Sequence, residues 1–321
     1  MEKVVSAHPL LLYTVLRRIL SHLTFKDILS MRQVCSEWMI EADHKLKDKV
    51  SVKIFCLDQL KRFVNEISED GIYIVSHYHI EGLNLNRIEA SNFLNKFGPT
   101  ITSLSINFCD WKSTTFRISL FKKLPNLTSL EVSSKKNCGQ LLECLMPMNC
   151  LPYGSFVHLN NMRELRIQGD FSNRTDLFYD ILKSSPNLRI IHLSKYHQDN
   201  DDLFGTWFVE IILSCQFSHL SSLEVECTLI QQQVDLLSEK AYPLRRLSID
   251  LEMDAVDNKS IDKILGHFPL LESVEIGVDN VPPSTFRNWK HIHSCSTIQN
   301  GNRVKVMFPK HASNNNNVLE P

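Results

Sequence analysis

Residues 127–133 read LTSLEVS. Leu130 and Val132 stand two apart, so in a strand they point to one side while Ser129, Glu131 and Ser133 point to the other. Leu127 packs at the turn leading into that strand, beneath the same core. The pattern is apolar-x-x-apolar-x-apolar, and it recurs along the chain. It is found in IEGLNLN from Ile80, ITSLSIN from Ile101, MRELRIQ from Met162 and LRIIHLS from Leu188, then in LSSLEVE from Leu220, LRRLSID from Leu244 and LESVEIG from Leu271. These segments start about 27 residues apart on average, a spacing that chance matches in a leucine-rich chain would not keep. Between them the period becomes helical: Phe93, Leu94 and Phe97; Leu177, Ile181 and Leu182; Trp207, Ile211 and Ile212; Ile261, Ile264 and Leu265. Pro125-Asn126, Pro186-Asn187, Pro243 and Pro269 stand just before strands, where a helix ends and an extended chain begins.

A strand and a helix per repeat, each covering its neighbour's core, predict an α/β solenoid. The alternative with the same alternation is a doubly wound sheet, which the lack of a Gly-rich phosphate loop after any strand disfavours. The repeats resemble the longer, helix-bearing leucine-rich class. That resemblance implies a right-handed horseshoe with parallel strands on the concave face and helices on the convex face. The class often carries Asn or Cys eight residues after the first apolar position, and here Cys109 alone matches. The solenoid is expected over residues 49–308, with an atypical first strand within 50–55 and a last one in RVKVMFP from Arg303. Residues 309–321, with four successive asparagines, are expected to form a disordered tail.

In such a sheet the residue between the second and third apolar positions faces outward, and successive repeats align these residues in a row. The row reads Asn84, Ser105, Glu131, Arg166, His192, Glu224, Ser248 and Glu275, flanked by Gln168, Glu226, Arg246 and Asp250. Glu131, Arg166, His192, Glu224, Arg246 and Glu275 are the candidate substrate-binding residues. Their mixed sign suits a protein partner of both charges rather than a polyanion.

Ahead of the repeats, residues 15–38 read VLRRILSHLTFKDILSMRQVCSEW. Leu12, Val15, Leu16, Ile19, Leu20 and Leu23 form one wide apolar stripe. Thr24 is placed to cap a second helix, with Asp27 completing a capping box. Ile28, Leu29, Met31, Val34, Cys35 and Trp38 then exceed what one helix face holds. A module of about 40 residues is near the lower limit for a core of its own, so the surplus apolar surface calls for a cover. An N-terminal cap on the solenoid would provide one. A DNA-reading helix-turn-helix is disfavoured, because its second helix lacks a cluster of Arg, Asn or Gln on one face.

The module resembles an F-box. Ile19, Leu20 and Leu23 fit its Ile-Leu-x-x-Leu element, Lys26 and Asp27 its Lys-Asp pair, and Val34, Cys35 and Trp38 its closing Val-Cys-x-x-Trp. Leu11 and Leu12 stand where the family has Leu-Pro; the nearby proline is Pro9. The resemblance covers residues 8–48, and an F-box followed by leucine-rich repeats is a known family architecture. It implies the substrate-recognition subunit of a Skp-cullin-F-box type ubiquitin ligase. The F-box would dock on a Skp-family adaptor and, through it, on a cullin-RING ligase. The repeats would hold a protein substrate for ubiquitination. A scaffold outside any ligase, built on the same surfaces, is the alternative. The adaptor-binding residues so implied are Leu11, Leu12, Val15, Leu16, Ile19, Leu20, Leu23, Lys26, Asp27, Leu29, Val34, Cys35 and Trp38.

Bulk composition fits this reading. The 321 residues carry 35 Lys+Arg against 36 Asp+Glu, a formal charge of -1 that gives no field for drawing nucleic acid. The nine cysteines form no CxxC pair and no zinc spacing, as expected of reduced thiols in a cytoplasmic or nuclear protein. PLLLYTVL from Pro9 is followed at once by Arg17 and Arg18, without a small-residue cleavage site, and no run is long enough to span a membrane. Asn126, Asn173 and Asn258 open glycosylation triplets, the one feature an extracellular protein would share. His77/His79 and His291/His293 lack a third ligand in sequence, and no nucleophile–base arrangement has a local signature. No active site, cofactor or metal is expected.

Overall fold

The computed structural model describes residues 9–49, 51–66, 75–110, 120–134, 159–169, 175–194, 210–240, 242–251, 266–278, 296–300 and 303–307. They fall into two compact units, one running to Glu131 and the other beginning at Val132.

The first unit opens with three helices, α1 (Pro9–His22), α2 (Phe25–Met31) and α3 (Ser36–Lys49). β1 (Ser51–Ile54), α4 (Leu57–Glu66), β2 (His77–Glu81), α5 (Ile88–Phe97), β3 (Ser103–Asn107) and α6 (Leu120–Lys123) follow. β4 (Ser129–Ser133) runs across the division. The strands lie side by side in chain order. β1 is parallel to β2 and β2 to β3, with Val52 beside Tyr78 and Tyr78 beside Leu104. The expected atypical first strand is thus present at 51–54.

The second unit contains β5 (Glu164–Gln168), α7 (Thr175–Lys183), β6 (Ile190–Ser194), β7 (Ser222–Leu229), α8 (Gln231–Ser238), β8 (Arg246–Leu251) and β9 (Ser273–Val278). β5 to β9 are parallel neighbours in chain order. The chain then reverses: β10 (Ser296–Asn300) and β11 (Arg303–Met307) form a hairpin, and β11 pairs antiparallel with β9. RVKVM is the expected last strand; β10 has no counterpart in the sequence reading. N-terminal helices followed by alternating strand and helix units are consistent with a leucine-rich-repeat-like solenoid.

One bonding rule builds each repeat. Before a strand, two successive N–H groups donate to a single carbonyl one repeat earlier: Thr102 and Ser103 to Ser76, and Thr128 and Ser129 to Thr102. In the second unit the same is done by Arg189 and Ile190 to Arg163, Ser221 and Ser222 to Arg189, Arg245 and Arg246 to Ser221, and Glu272 and Ser273 to Arg245. The Pro-Asn turns add a side-chain tie, with Asn126 donating its amide to Pro99 C=O (2.7 Å) and Asn187 to Asn160 C=O (2.8 Å). Loop backbone groups that would otherwise be orphaned are satisfied in this way. Cys109 makes a related tie, its thiol 3.6 Å from Ile80 C=O; burial pushes the pKa of that thiol up to about 11.

Core and face alternate as expected. Leu130 and Val132, Leu165 and Ile167, Ile191 and Leu193, and Leu247 and Ile249 are all buried. Phe93, Leu94 and Phe97 of α5, Ile181 and Leu182 of α7, and Ile212 are buried as well. The side chain of Leu177, together with Trp207, Ile261, Ile264, Leu265, the CGQLLECLMPMNC insertion, His291, His293 and residues 309–321, lies outside the described residues.

The first repeat corrects the sequence reading. Its strand is HYHIE (77–81), five residues before the 82–86 that the IEGLNLN phase implies, with Tyr78 and Ile80 as the buried pair. Gly82 adopts φ +68, which turns the chain out of the extended conformation inside that heptapeptide. Leu83 and Leu85 are buried after the strand, and Asn84 forms an isolated bridge with Asp110 outside it. The outward position beside Ser105 therefore belongs to His79, not Asn84. A tyrosine replaces the expected leucine because α4 and α5 provide an aromatic nest, with Phe63 and Phe93 packed edge-on against Tyr78 at 5.8 and 5.1 Å.

Gly98 closes α5 where its backbone meets α6. A Cβ there would overlap the Lys123 carbonyl oxygen. Gly98→Ala therefore forces backbone to move and is expected to cost about 1–3 kcal/mol. Denaturant titration checks this, and an unchanged midpoint would show that the spacing between α5 and α6 yields freely.

Candidate functional site

Leu16 and Leu20 of α1, Ile28 of α2 and Ala42 and Leu46 of α3 form a small closed core, with Leu23, Met31 and Trp38 packed on its border. Thr24 begins α2 with the expected capping box: its hydroxyl accepts from Asp27 N–H (3.3 Å), and the Asp27 carboxylate accepts from Thr24 N–H (3.2 Å). Two ion pairs tie the helices, Arg17 to Glu41 and Arg32 to Asp43. The Arg17 guanidinium grips both Glu41 oxygens, at 2.6 and 3.0 Å, and this bonding holds the buried Glu41 carboxyl below its usual range.

The expected adaptor-binding residues separate into two groups. Leu16 and Leu20 lie inside the module, and Leu23 and Trp38 are partly covered by it, so these shape the surface from beneath. Val15 (56% exposed), Ile19 (43%), Leu29 and Val34 (60%) stand in the open, as do Lys26, Asp27 and Cys35. The side chains of Leu11 and Leu12 lie outside the described residues. Met39 and Ile40 of α3 are also exposed and were missed. Their signal was two further apolar residues directly after Trp38, past the last motif position. Fully burying an apolar side chain of this size is worth about 1.5–3 kcal/mol.

The polar row is present in both units. In the first, Lys53, His79 and Ser105 align across β1 to β3. His79 Nδ1 lies 3.0 Å from Ser105 Oγ and Nε2 lies 3.3 Å from Glu81. Glu131 occupies the outward position of β4, half-buried. In the second unit Arg166, His192, Glu224, Ser248 and Glu275 stand side by side on β5 to β9, and Lys305 takes the next register position on β11.

Charge on this second face is locally paired. Arg166 meets Glu164 at 2.6 Å, His192 meets Glu224 at 2.7 Å and Arg245 meets Glu272 at 2.8 Å. A depression of about 440 Å³ opens here, with Arg166, Glu224, Arg246, Ser248 and Glu275 among its lining residues. Five predicted or flanking positions thus come together. Arg245 and Glu272, also in its wall, were missed because they precede the strands, at positions the outward-row rule leaves out. Such a depression offers hydrogen bonds and both charges to a polypeptide.

Among the described residues, no helix is long and apolar enough to cross a membrane. Cys35, Cys56, Cys109 and Cys215 are free thiols.

Comparison with known proteins supplies the first independent identification. No curated protein matches the chain. Residues 10–46, which are α1, α2 and most of α3, match the F-box domain family. An F-box domain implies binding of a Skp-family adaptor and a non-catalytic, substrate-adaptor role in a Skp-cullin-F-box ubiquitin ligase. The N-terminal three-helix module of this protein is an F-box domain.

Proposed function

We propose that this chain is the substrate-recognition subunit of such a ligase, with residues 8–48 docking on the adaptor and residues 49–308 holding a protein substrate. The observation that carries the reading is the open apolar surface of the F-box domain: Val15, Ile19, Leu29, Val34, Met39 and Ile40 are exposed around a core that is already closed. A single small module does not hold this much apolar surface in water without a partner to cover it. The adaptor is that cover, contacting the exposed set while Leu16, Leu20, Leu23 and Trp38 keep the helices in place.

The substrate is taken by the polar row and the depression in the second unit, through Arg166, His192, Glu224, Arg246 and Glu275. The protein itself performs no chemistry. It raises the concentration of substrate beside a ubiquitin-loaded enzyme, and the rate gain comes from proximity.

A paired capture from cell extract tests the assignment, using the full chain and a version lacking residues 1–48. Adaptor and cullin are expected with the full chain only, and substrate with both. Equal recovery of adaptor by the truncated chain would defeat it. Recovery of adaptor without cullin would instead support a scaffold outside the ligase.

A further inference from the structure

We propose that His192, Glu224 and Glu226 form a divalent-metal site on the polar face of the second unit, with zinc the ion their donors fit. Two adjacent strands build it. His192 of β6 stands opposite Glu224 of β7, and two residues on, Ser194 stands opposite Glu226. Residues two apart on a strand share a face, so all four side chains project from the same side of the sheet. One donor atom from each of His192, Glu224 and Glu226 lies within 4.8 Å of the other two.

Two observations point to a ligand. The His192 Nδ1 atom is shut off from solvent and lies 2.7 Å from a Glu224 oxygen, yet it makes no well-formed hydrogen bond. A ring nitrogen and a carboxylate oxygen held this close without a hydrogen bond lie within reach of one shared cation. Ser194 is the second. It is 1% exposed, and its hydroxyl has no hydrogen-bond partner among the described residues. Buried hydroxyls are ordinarily satisfied. Beside Glu226 it is placed to donate to a ligating carboxylate or to accept from a metal-bound water, the outer-shell role that orients ligands.

The donor set selects the ion. Zinc takes imidazole nitrogen and carboxylate oxygen at about 2.0–2.2 Å, the donor types that His192, Glu224 and Glu226 supply. Magnesium and calcium prefer all-oxygen shells. Three protein ligands leave a fourth coordination position for water or another donor. Sequence spacing hides the site, because His192 and Glu226 come together only through strand register. The site stands whether or not the chain serves a ligase.

Zinc titration of the full chain, stripped with a chelator and competed against a chromophoric one, tests it. The chain is expected to bind one more zinc equivalent than His192→Ala, and Glu226→Gln to hold that equivalent at least about 10-fold more weakly. His79→Ala, altering a histidine in the other unit, is expected to retain it. X-ray absorption of the equivalent that distinguishes the chain from His192→Ala should show nitrogen and oxygen scatterers only. Identical zinc stoichiometry and affinity in the chain, His192→Ala and Glu226→Gln would overturn the proposal, as would sulfur ligation of that equivalent. Glu226→Gln is nearly isosteric, so it decides the matter even if His192→Ala folds poorly.

Discussion

The double substitution Val15→Glu/Ile19→Glu is expected to weaken adaptor binding by about 100-fold or more while leaving the F-box domain folded. The two residues are one turn apart on α1, share a face, and are about half exposed. Glutamate at these positions keeps the helix, since its helix propensity exceeds that of valine or isoleucine. The penalty arises only on association, when two unpaired carboxylates must leave water. Losing a central contact costs about 2 kcal/mol or more, and burying a charge without a partner costs further. Every 1.4 kcal/mol is about tenfold in affinity, so two such residues reach about 100-fold without help from any other contact. Titration of purified adaptor into the full chain measures it, with circular dichroism confirming the helices. Near-native affinity with an intact helical signal would place the adaptor on another face.

Leu20→Ala is expected to produce the same loss by another route. Leu20 is 0% exposed at the centre of a core formed by few residues. Truncating a buried leucine costs about 2–5 kcal/mol, depending on how far the surroundings collapse. In so small a module that is a large share of its stability. Amide exchange over residues 9–49 should accelerate, and adaptor binding should fall because the exposed set is no longer held in place. The two variants separate on addition of a stabilising osmolyte, which favours compact states. Binding by Leu20→Ala is expected to recover, and binding by Val15→Glu/Ile19→Glu is not. Failure of Leu20→Ala to change amide exchange would show that the first unit stabilises these helices from outside their own core.

Ion pairing adds a pH dependence to the same module. Arg17 holds the Glu41 carboxyl below its usual range, so this contact contributes stability above the ordinary carboxylate pKa and loses it as pH falls through the lowered value. Acid is therefore expected to loosen α1 from α3.

How much of this was legible depended on whether the signal was local. The capping box needs only Thr24 and Asp27 at a fixed interval, so it could be read directly and is present. Leu130/Val132 and Leu165/Ile167 announce strands because alternate side chains must share a face. The first repeat was misread for the converse reason. Its core position is filled by Tyr78, whose suitability depends on Phe63 and Phe93 elsewhere in the chain, and IEGLNLN offered a better local match despite the turn at Gly82.

The candidate sites divide in the same way. The F-box motif, being compact in sequence, could be matched residue by residue, but the motif does not distinguish Leu16 and Leu20, which build the core, from Val15 and Ile19, which face outward. That distinction is made by where α2 and α3 pack. The outward row of the repeats follows from period alone, which is why Arg166, His192, Glu224, Ser248 and Glu275 do align. Their partners do not follow from it. Glu272 beside Arg245 and Glu226 near His192 are set by side-chain packing and strand register.

The amino-acid sequence by itself thus determined the kind of protein this is: a helical module with capped, apolar helices, followed by strands and helices in regular alternation. Periodicity, capping and turn chemistry act over a few residues and need no knowledge of the rest of the chain. Tertiary structure alone decided which apolar side chains remain for a partner and which charges meet across strands. Both are outcomes of competition for the same neighbours among residues far apart in sequence, and only the packed chain resolves them.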